Sequence, residues 1–328
     1  MTNTINIAVD AGKYNTKAVC KINNTLRTIH FRSKMQPIEN FGGELTPNNY
    51  LVEQYDKSFL IGDMVSEDTT NYNLTKQNDE FKYCVYLAIC CFLKKLNTPS
   101  HMISNINLAI NMPLTLFKNQ SHKVSMQEFI QNQGKPIQLK VNDTLYSFKL
   151  CNVTIIPEAV GPIYTNVTAF RNKRATVIDI GSLNVSYTTY NNLSPTLESM
   201  TTSNNGINIL RSKIAETLTS KYNTLVNDTD VEYILRTDKF LYLEGVKQIE
   251  SNFIIEQLLS EHTKGIFSYA KSRGFTFNNV DVVFCGGGSI LLKEYLLNEF
   301  PTASIEPESQ FSNVYSFYKI LEAKYGQA

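Results

Sequence analysis

Two aspartate-containing turns, half the chain apart, have the residue types and spacing best suited to chemistry. Each is an Asp-x-Gly that directly follows an apolar strand pattern, at residues 10–12 and at residues 179–181. One such turn alone would indicate only a loop, because Asp and Gly are ordinary turn residues. Two of them at equivalent places predict a duplicated α/β unit.

The chemistry of these turns suits a phosphate ligand. Gly12 and Gly181 let the backbone turn tightly and bring amide groups close to phosphate oxygens. Asp10 and Asp179 can hold water ligands of Mg²⁺, an ion that keeps several of its waters. Lys17, seven residues after Asp10, could neutralise phosphate charge. The pattern predicts a clamp on a Mg-triphosphate, with both aspartates as metal residues acting through water.

Two further elements fit the same kind of site. Residues 286–289, Gly-Gly-Gly-Ser, lie between an apolar strand pattern and a helix, where bare backbone can lie against an adenosine or a phosphate. Glu158 follows a strand at Pro157, 21 residues before Asp179. It is either a first-turn helix carboxylate or a group that reaches the γ-phosphate and orients a water. The chain contains neither GxGxxG nor GxxxxGK[ST].

Strand and helix patterns alternate along the chain, which predicts α/β sheets with parallel pairings. We expect a loop over 36–50 and an exposed polar segment over 65–78. We also expect a helix over 79–96, where apolar residues recur at spacings of three and four residues. Further helices are predicted over 290–300 and 311–324.

Composition excludes several classes of protein. With 31 Lys and Arg against 30 Asp and Glu, the net charge is +1, so direct contact with nucleic acid is not expected. No run of about 18 apolar residues predicts a membrane span, and the polar N-terminus lacks a secretory pattern. The six cysteines form no CxxC pair and have no histidine at zinc-ligand spacing. Reduced thiols and a cytoplasmic location are therefore expected.

In their order, these motifs resemble the actin, sugar-kinase and heat-shock-chaperone ATPase superfamily, and more closely the ParM-type bacterial actins that segregate plasmids. The resemblance covers nearly the whole chain. Its segments are 10–17, 59–63, 109–114, 157–158, 179–181, 286–289 and 309–313.

The resemblance implies an actin-like (ribonuclease H-like) α/β fold of two duplicated domains with a nucleotide cleft between them. Domain I would be residues 1–165, with a small subdomain at about 36–80 and a C-terminal helix, 306–328, that returns to it. Domain II would be residues 166–305.

The same resemblance implies a Mg-dependent nucleoside triphosphatase that uses ATP or GTP. Glu158 and Asp179 would be catalytic, and Glu158 would position the attacking water. The implied nucleotide-binding residues are Asp10, Gly12, Lys13, Tyr14, Asn15, Lys17, Gly181, Ser182, Leu183, Asn184, Gly206, Gly286, Gly287, Gly288 and Ser289.

We call residues 10–17 the first loop and residues 179–184 the second loop. The second loop departs from the family pattern Asp-x-Gly-Gly-x-Thr. It has Ser182 and Asn184 where the family has Gly and Thr, and Ser186 where an acidic residue often follows. Ser182 and Asn184 can still donate hydrogen bonds to phosphate. Glu232 and Asp238 are candidates for the carboxylate that binds the ribose.

The family's partners would be further copies of the chain, in filaments that disassemble on hydrolysis, and an adaptor protein bound to a centromere-like plasmid site. Two other functions remain open. A small-molecule kinase would need an Asp general base beside a sugar or acyl pocket. A non-polymerising regulatory or chaperone ATPase is the other; a chaperone's peptide-binding domain is not expected in a chain that ends at Ala328.

Overall fold

The computed structural model of the protein describes residues 4–66 and 76–326. The chain divides into two compact units, each with its own sheet and apolar core. Unit 1 is Met1–Val167 together with Phe311–Ala328, and unit 2 is Thr168–Gln310.

Within its described residues, unit 1 has one sheet of nine strands. They are β1 (Thr4–Ala11), β2 (Asn15–Ile22), β3 (Thr25–Arg32), β4 (Met35–Pro37), β5 (Asn49–Gln54), β6 (Lys57–Gly62), β7 (Ile103–Met112), β8 (Ile137–Val141) and β9 (Thr144–Pro157). Their order across the sheet is β3-β2-β1-β7-β9-β8-β5-β6-β4. The pairs β1–β7 and β7–β9 are parallel, and the other pairs are antiparallel.

Unit 2, which the structure describes throughout, has a sheet of six strands and a separate hairpin. The strands are β10 (Arg174–Ile180), β11 (Val185–Asn191), β12 (Ser194–Pro195), β13 (Thr201–Ser203), β14 (Leu241–Leu243), β15 (Val246–Gln248), β16 (Asp281–Cys285) and β17 (Ser304–Ile305). The sheet runs β12-β11-β10-β16-β17, β13 pairs with β11, and β14 pairs with β15. The parallel pairs are β10–β16 and β16–β17.

The helices of the described chain follow these strands singly or in pairs along the sequence. They are α1 (Asp79–Lys95), α2 (Leu114–Phe117), α3 (Gln120–Gln131), α4 (Val167–Phe170), α5 (Ile207–Tyr222), α6 (Asp228–Arg236), α7 (Ile249–Ser272), α8 (Gly287–Leu291), α9 (Lys293–Glu299) and α10 (Ser312–Tyr325). No helix in the described ranges has the length and apolar character needed to cross a bilayer.

Strand β1 is buried on both faces, and this holds its carboxyl end in place. Ile7 and Val9 lie in the core cluster that includes α1, whereas Ala8 packs with Phe317 and Leu321 of α10. Alternate residues of a strand point to opposite faces, so one apolar run fills two layers.

The predicted helix over 79–96 is confirmed as α1. The side chain of Asn78 caps its N-terminus by accepting from the amide of Phe81, and Lys94 and Lys95 lie in its last turn. The single helix predicted over 290–300 is wrong. The chain forms two short helices, α8 and α9, with the break at Leu292.

The cysteines in the described ranges are all free thiols, as predicted. Cys20, Cys84, Cys90 and Cys285 are buried, and Cys91 and Cys151 are partly buried. Burial raises the pKa of the Cys84 thiol to about 12, so this thiol is an inert packing group at neutral pH.

Candidate functional site

The two Asp-x-Gly turns have the same backbone construction. Between β1 and β2 the amide of Gly12 donates to the carbonyl of Asn15 at 3.1 Å, and between β10 and β11 the amide of Gly181 donates to the carbonyl of Asn184 at 2.9 Å. A Cβ at either glycine would lie 2.9 or 3.0 Å from that same carbonyl oxygen. The motif shared by the two turns is therefore the longer Asp-x-Gly-x-x-Asn, at residues 10–15 and 179–184. Each glycine amide closes its own turn, and the approach of other backbone amides of these turns to phosphate stays a prediction.

In unit 1, three parallel strands place polar groups at their carboxyl ends, on the same side of the sheet. Asp10 lies near the end of β1, Asn111 near the end of β7, and Glu158 directly follows β9. The Asn111 Oδ1 accepts from the amide of Ala11 at 3.1 Å, and its Nδ2 donates to Glu158 Oε1 at 3.5 Å. Ligands of α/β sheets bind outside the carboxyl ends of parallel strands, so this edge is where a ligand would be expected.

Glu158 does not begin a helix, so the interpretation as a first-turn helix carboxylate is wrong. Its amide donates to the carbonyl of Met112 at 3.0 Å, which continues the pairing of β9 with β7. The next residue, Ala159, is buried and has a left-handed φ of 56°. That conformation costs a non-glycine residue about 1–2 kcal/mol and is found at functional sites more often than elsewhere.

Lys76 is a site residue that the sequence analysis missed. Only 5% of it is exposed, although we expected residues 65–78 to be exposed; residues 67–75 lie outside the described ranges. Its Nζ donates to the carbonyl of Ala11 at 2.9 Å and lies 2.8 Å from Glu158 Oε1. A lone lysine in a polar stretch carries no sequence signal of burial, so only packing could reveal it.

Asp10 is held by groups from three other parts of unit 1. Burial raises the pKa of its carboxyl group, and the positive charges of Lys17 and Lys76 oppose that rise. Lys17 lies directly opposite Asp10 in the β1–β2 pair. Asn313 of α10 hydrogen-bonds the Asp10 carboxylate and accepts from the amide of Gly161 at 2.8 Å. The C-terminal helix thus supports the carboxylate predicted to hold Mg²⁺.

The remaining side chains of the first loop have different surroundings. Lys13 lines a small pocket with Glu80 and Cys84, where burial lowers the pKa of its ammonium group and Glu80 opposes this. The Tyr14 ring lies 3.6 Å from the guanidinium carbon of Arg32, a cation–π contact. The predicted contacts of Lys13 and Tyr14 with nucleotide stay predictions.

In unit 2, Asp179 lies beside the glycine-rich segment because β10 and β16 are parallel neighbours. Asp179 pairs in register with Cys285, so Gly286 follows at the same edge. Gly286 has a φ of +83°, and a Cβ there would overlap the Asp179 carboxylate. A Cβ at Gly288 would overlap the side chain of Ile180. These two glycines are required for the segment to approach the second loop.

Gly287 and Ser289 differ in accessibility. Gly287 is exposed, and a Cβ there would meet nothing within 4 Å. Ser289 is fully buried, and its hydroxyl lies 2.8 Å from the carbonyl of Gly286 and 2.8 Å from the hydroxyl of Ser309. Gly287 is thus open to a ligand, whereas the hydroxyl of Ser289 holds the turn.

The N-terminus of α5 holds the second loop. The amides of Ile207 and Asn208 donate to the carbonyls of Gly181 and Ser182 at 3.1 and 2.9 Å. A Cβ at Gly206 would overlap the Ser182 carbonyl oxygen and the backbone that follows it. Within the loop, residues 181–184 are partly exposed. Gly206 therefore allows helix and loop to meet.

We expect Gly206→Ala to lower the free energy of unfolding by about 1–3 kcal/mol, the usual cost of overpacking. Gly287→Ala is the matched control, since its methyl group meets open space. Urea unfolding of both variants measures the difference. Equal stability of the two would contradict the packing of Gly206 against the second loop.

The two candidates for the ribose carboxylate both have cationic partners. Glu232 lies 3.3 Å from Arg211 and 2.6 Å from Arg236. Asp238 is exposed and accepts from the Tyr242 hydroxyl at 2.6 Å, beside Lys247. The hydrogen bond from Tyr242 lowers the pKa of Asp238, as does Lys247. Asp238 thus contacts the β14–β15 hairpin. A ribose-binding role stays a prediction for both Glu232 and Asp238.

The donor set fits a hydrated Mg²⁺ and a phosphate ligand. Within the described ranges no three His, Cys, Asp or Glu side chains gather as a metal group. Mg²⁺ needs only one or two carboxylates, because waters and phosphate oxygens supply its other ligands. Asn15 Oδ1 is buried and has no hydrogen-bond partner in the described structure. Since carboxamide O and N are nearly interchangeable in position, Asn15 can also present its NH₂ group to an anion.

Comparison with solved structures assigns the fold. The archaeal actin homologue Ta0583 matches with a TM-score of 0.79 at 16% identity, over 98% of this chain and all of the other. A ParM from Clostridium botulinum, solved as a 15-stranded filament, matches with a TM-score of 0.78 at 14% identity over 98% and 99% of the two chains. Alp12, also solved as a filament, has a TM-score of 0.69 at 25% identity over 99% and 100%. The protein therefore has the actin-like fold.

The N-terminal part of the chain also resembles a family model. Residues 8–161 match the family model of the N-terminal domain of actin-like proteins. A comparison with curated protein sequences finds no match. Ta0583 has also been solved in complex with ADP, at 17% identity and a TM-score of 0.74.

Proposed function

We propose that this protein is a Mg-dependent nucleoside triphosphatase that assembles into filaments when it binds ATP or GTP. The observation that carries the proposal is the repeated Asp-x-Gly-x-x-Asn turn, present once in each unit of an actin-like fold. The ADP complex of Ta0583 and the filaments of Alp12 and ParM support it. That one nucleotide uses both turns is carried over from the family resemblance.

Each residue of the proposed site would have a role in binding or in hydrolysis. Bound Mg²⁺ would neutralise charge on the phosphates. Asp10 and Asp179 would accept hydrogen bonds from its waters, and Lys17 would add positive charge near the phosphates. Glu158 would orient the attacking water and accept its proton, because phosphoryl transfer depends mainly on positioning and electrostatics.

We further propose that the filaments segregate plasmid DNA through an adaptor protein, and that the protein is cytoplasmic. This part rests on the resemblance to ParM-type actins. The net charge of +1 agrees with indirect rather than direct contact with DNA. Purified filaments would then bind plasmid DNA only when the adaptor is added, which a co-sedimentation assay measures.

Titration with a fluorescent ATP analogue tests the nucleotide site itself. We expect saturable binding that requires Mg²⁺ and is displaced by unlabelled ATP or GTP. Competition by each nucleotide ranks their affinities. Failure of every nucleotide to bind would contradict the proposal.

Gly287→Val tests the glycine-rich segment, because the added side chain projects into open space. The fold should survive, while nucleotide affinity should fall by about tenfold or more, the equivalent of roughly 1–3 kcal/mol of overpacking. Gly42→Val is the control, since a Cβ at Gly42 also meets nothing within 4 Å and the residue has no assigned role. Unchanged affinity in a folded Gly287→Val protein would remove this segment from the site.

A further inference from the structure

The surroundings of Lys76 are unusual for a lysine in a polar stretch. Its side chain is 6% exposed, and its ammonium group contacts both the Ala11 carbonyl and the Glu158 carboxylate. A buried ammonium is costly unless it is paired and hydrogen-bonded, and here both conditions are met. One cation thus joins the backbone of the first loop to the carboxylate proposed to orient water.

A second side chain makes the same connection. Asn111 accepts from the amide of Ala11 and donates to Glu158, so the backbone of Ala11 is held at its N–H by Asn111 and at its C=O by Lys76. Both Lys76 and Asn111 also contact Glu158 Oε1. A shift of the first loop would therefore move the Glu158 carboxylate with it.

We propose that Lys76 is a positioning residue that orients the Glu158 carboxylate relative to the first loop during hydrolysis. The inference rests on the proposed function, because it assigns Lys76 a role in that reaction. Lys76 does not act on the nucleotide itself. It acts through Glu158, and its removal has no effect on hydrolysis once the carboxylate is gone.

A double-mutant cycle with Lys76→Met and Glu158→Gln tests this dependence. At saturating nucleotide, Lys76→Met should slow phosphate release by about 10–100-fold, since misplacement by about 1 Å can cost 10²-fold. In the Glu158→Gln background the same change should have no further effect. Nucleotide affinity should change by less than the rate, and Lys76→Arg should recover part of the rate.

A structural role predicts different results. If Lys76 only supports the first loop, Lys76→Met would weaken nucleotide binding and would slow phosphate release equally in both backgrounds, which would overturn the inference. Wild-type protein that binds nucleotide but releases no phosphate would overturn the proposed activity and this inference together. If the wild-type protein releases phosphate but the effects of the Lys76 and Glu158 substitutions are additive, the inference about Lys76 is overturned and the proposed activity is not.

A replacement variant, a control variant and a measurement without nucleotide complete the test. Lys76→Gln retains a donor for the Ala11 carbonyl without the charge, and it replaces Lys76→Met if that variant does not fold. Lys21→Met is the matched control, because Lys21 forms a largely buried ion pair with Glu322 in the same unit. Thermal unfolding of the nucleotide-free variants should show coupling between positions 76 and 158, whereas additive shifts in Tm would contradict their contact.

Discussion

Glu158→Gln is expected to slow phosphate release by about 10²-fold or more while the protein still binds Mg-nucleotide and still assembles. A carboxylate that orients or deprotonates the attacking water contributes about 10²–10⁴-fold to the rate, whereas binding depends on the turns and the glycine-rich segment. Glutamine is chosen because it leaves the Lys76 ammonium an acceptor, which alanine would remove. Phosphate release and light scattering, recorded in one time course, measure both effects.

The same variant should also change the lifetime of the polymers. If hydrolysis permits disassembly, Glu158→Gln polymers should persist after wild-type polymers have decayed. Glu53→Gln is the control, since Glu53 forms an ion pair at 2.8 Å with Lys140 in the same sheet, outside the candidate site. Wild-type phosphate release and wild-type decay in Glu158→Gln would leave Glu158 with only a structural role.

Asp179→Asn should weaken the use of Mg-nucleotide by about 10–100-fold, the usual cost of losing a carboxylate that hydrogen-bonds the waters of a metal. Asparagine keeps the side-chain volume that packs beside Gly286. Nucleotide affinity measured over a range of Mg²⁺ concentrations should show that the variant needs more Mg²⁺ than the wild-type protein. Turnover at limiting Mg²⁺ should fall in parallel.

Asp281→Asn is the control for this change. Asp281 lies on β16, the parallel neighbour of β10, and its half-exposed carboxylate pairs with Lys173 at 3.1 Å. Its loss should leave nucleotide binding unchanged, since surface ion pairs contribute little. If Asp179→Asn hydrolyses ATP at the wild-type rate with an unchanged Mg²⁺ requirement, the assignment of Asp179 is wrong.

Local sequence signals predicted the elements that carry the site. Apolar runs that end in Asp-x-Gly indicated where β1 and β10 end, because the turn residues and the strand pattern are adjacent in the chain. Helix α1 followed from the spacing of its apolar residues. The order of these motifs along the chain was enough to indicate the actin-like fold, which the solved structures confirm.

The groups that hold the site in position depend on long-range packing, so the sequence did not reveal them. Lys76 contacts the carbonyl of Ala11, 65 residues away, and Asn313 reaches Asp10 from the far end of the chain. The backbone conformation of Ala159 explains why no helix begins after Pro157. Alanine favours helices, but this residue is buried and has a left-handed backbone conformation.

The central claim is that nucleotide drives assembly of this chain, and light scattering of the purified protein with Mg²⁺ tests it most directly. Scattering should rise when ATP or GTP is added, should not rise with ADP, and should decay as phosphate is released, with filaments visible by electron microscopy at the plateau. A solution that stays clear with every nucleotide, at a protein concentration that saturates nucleotide binding, would contradict the account.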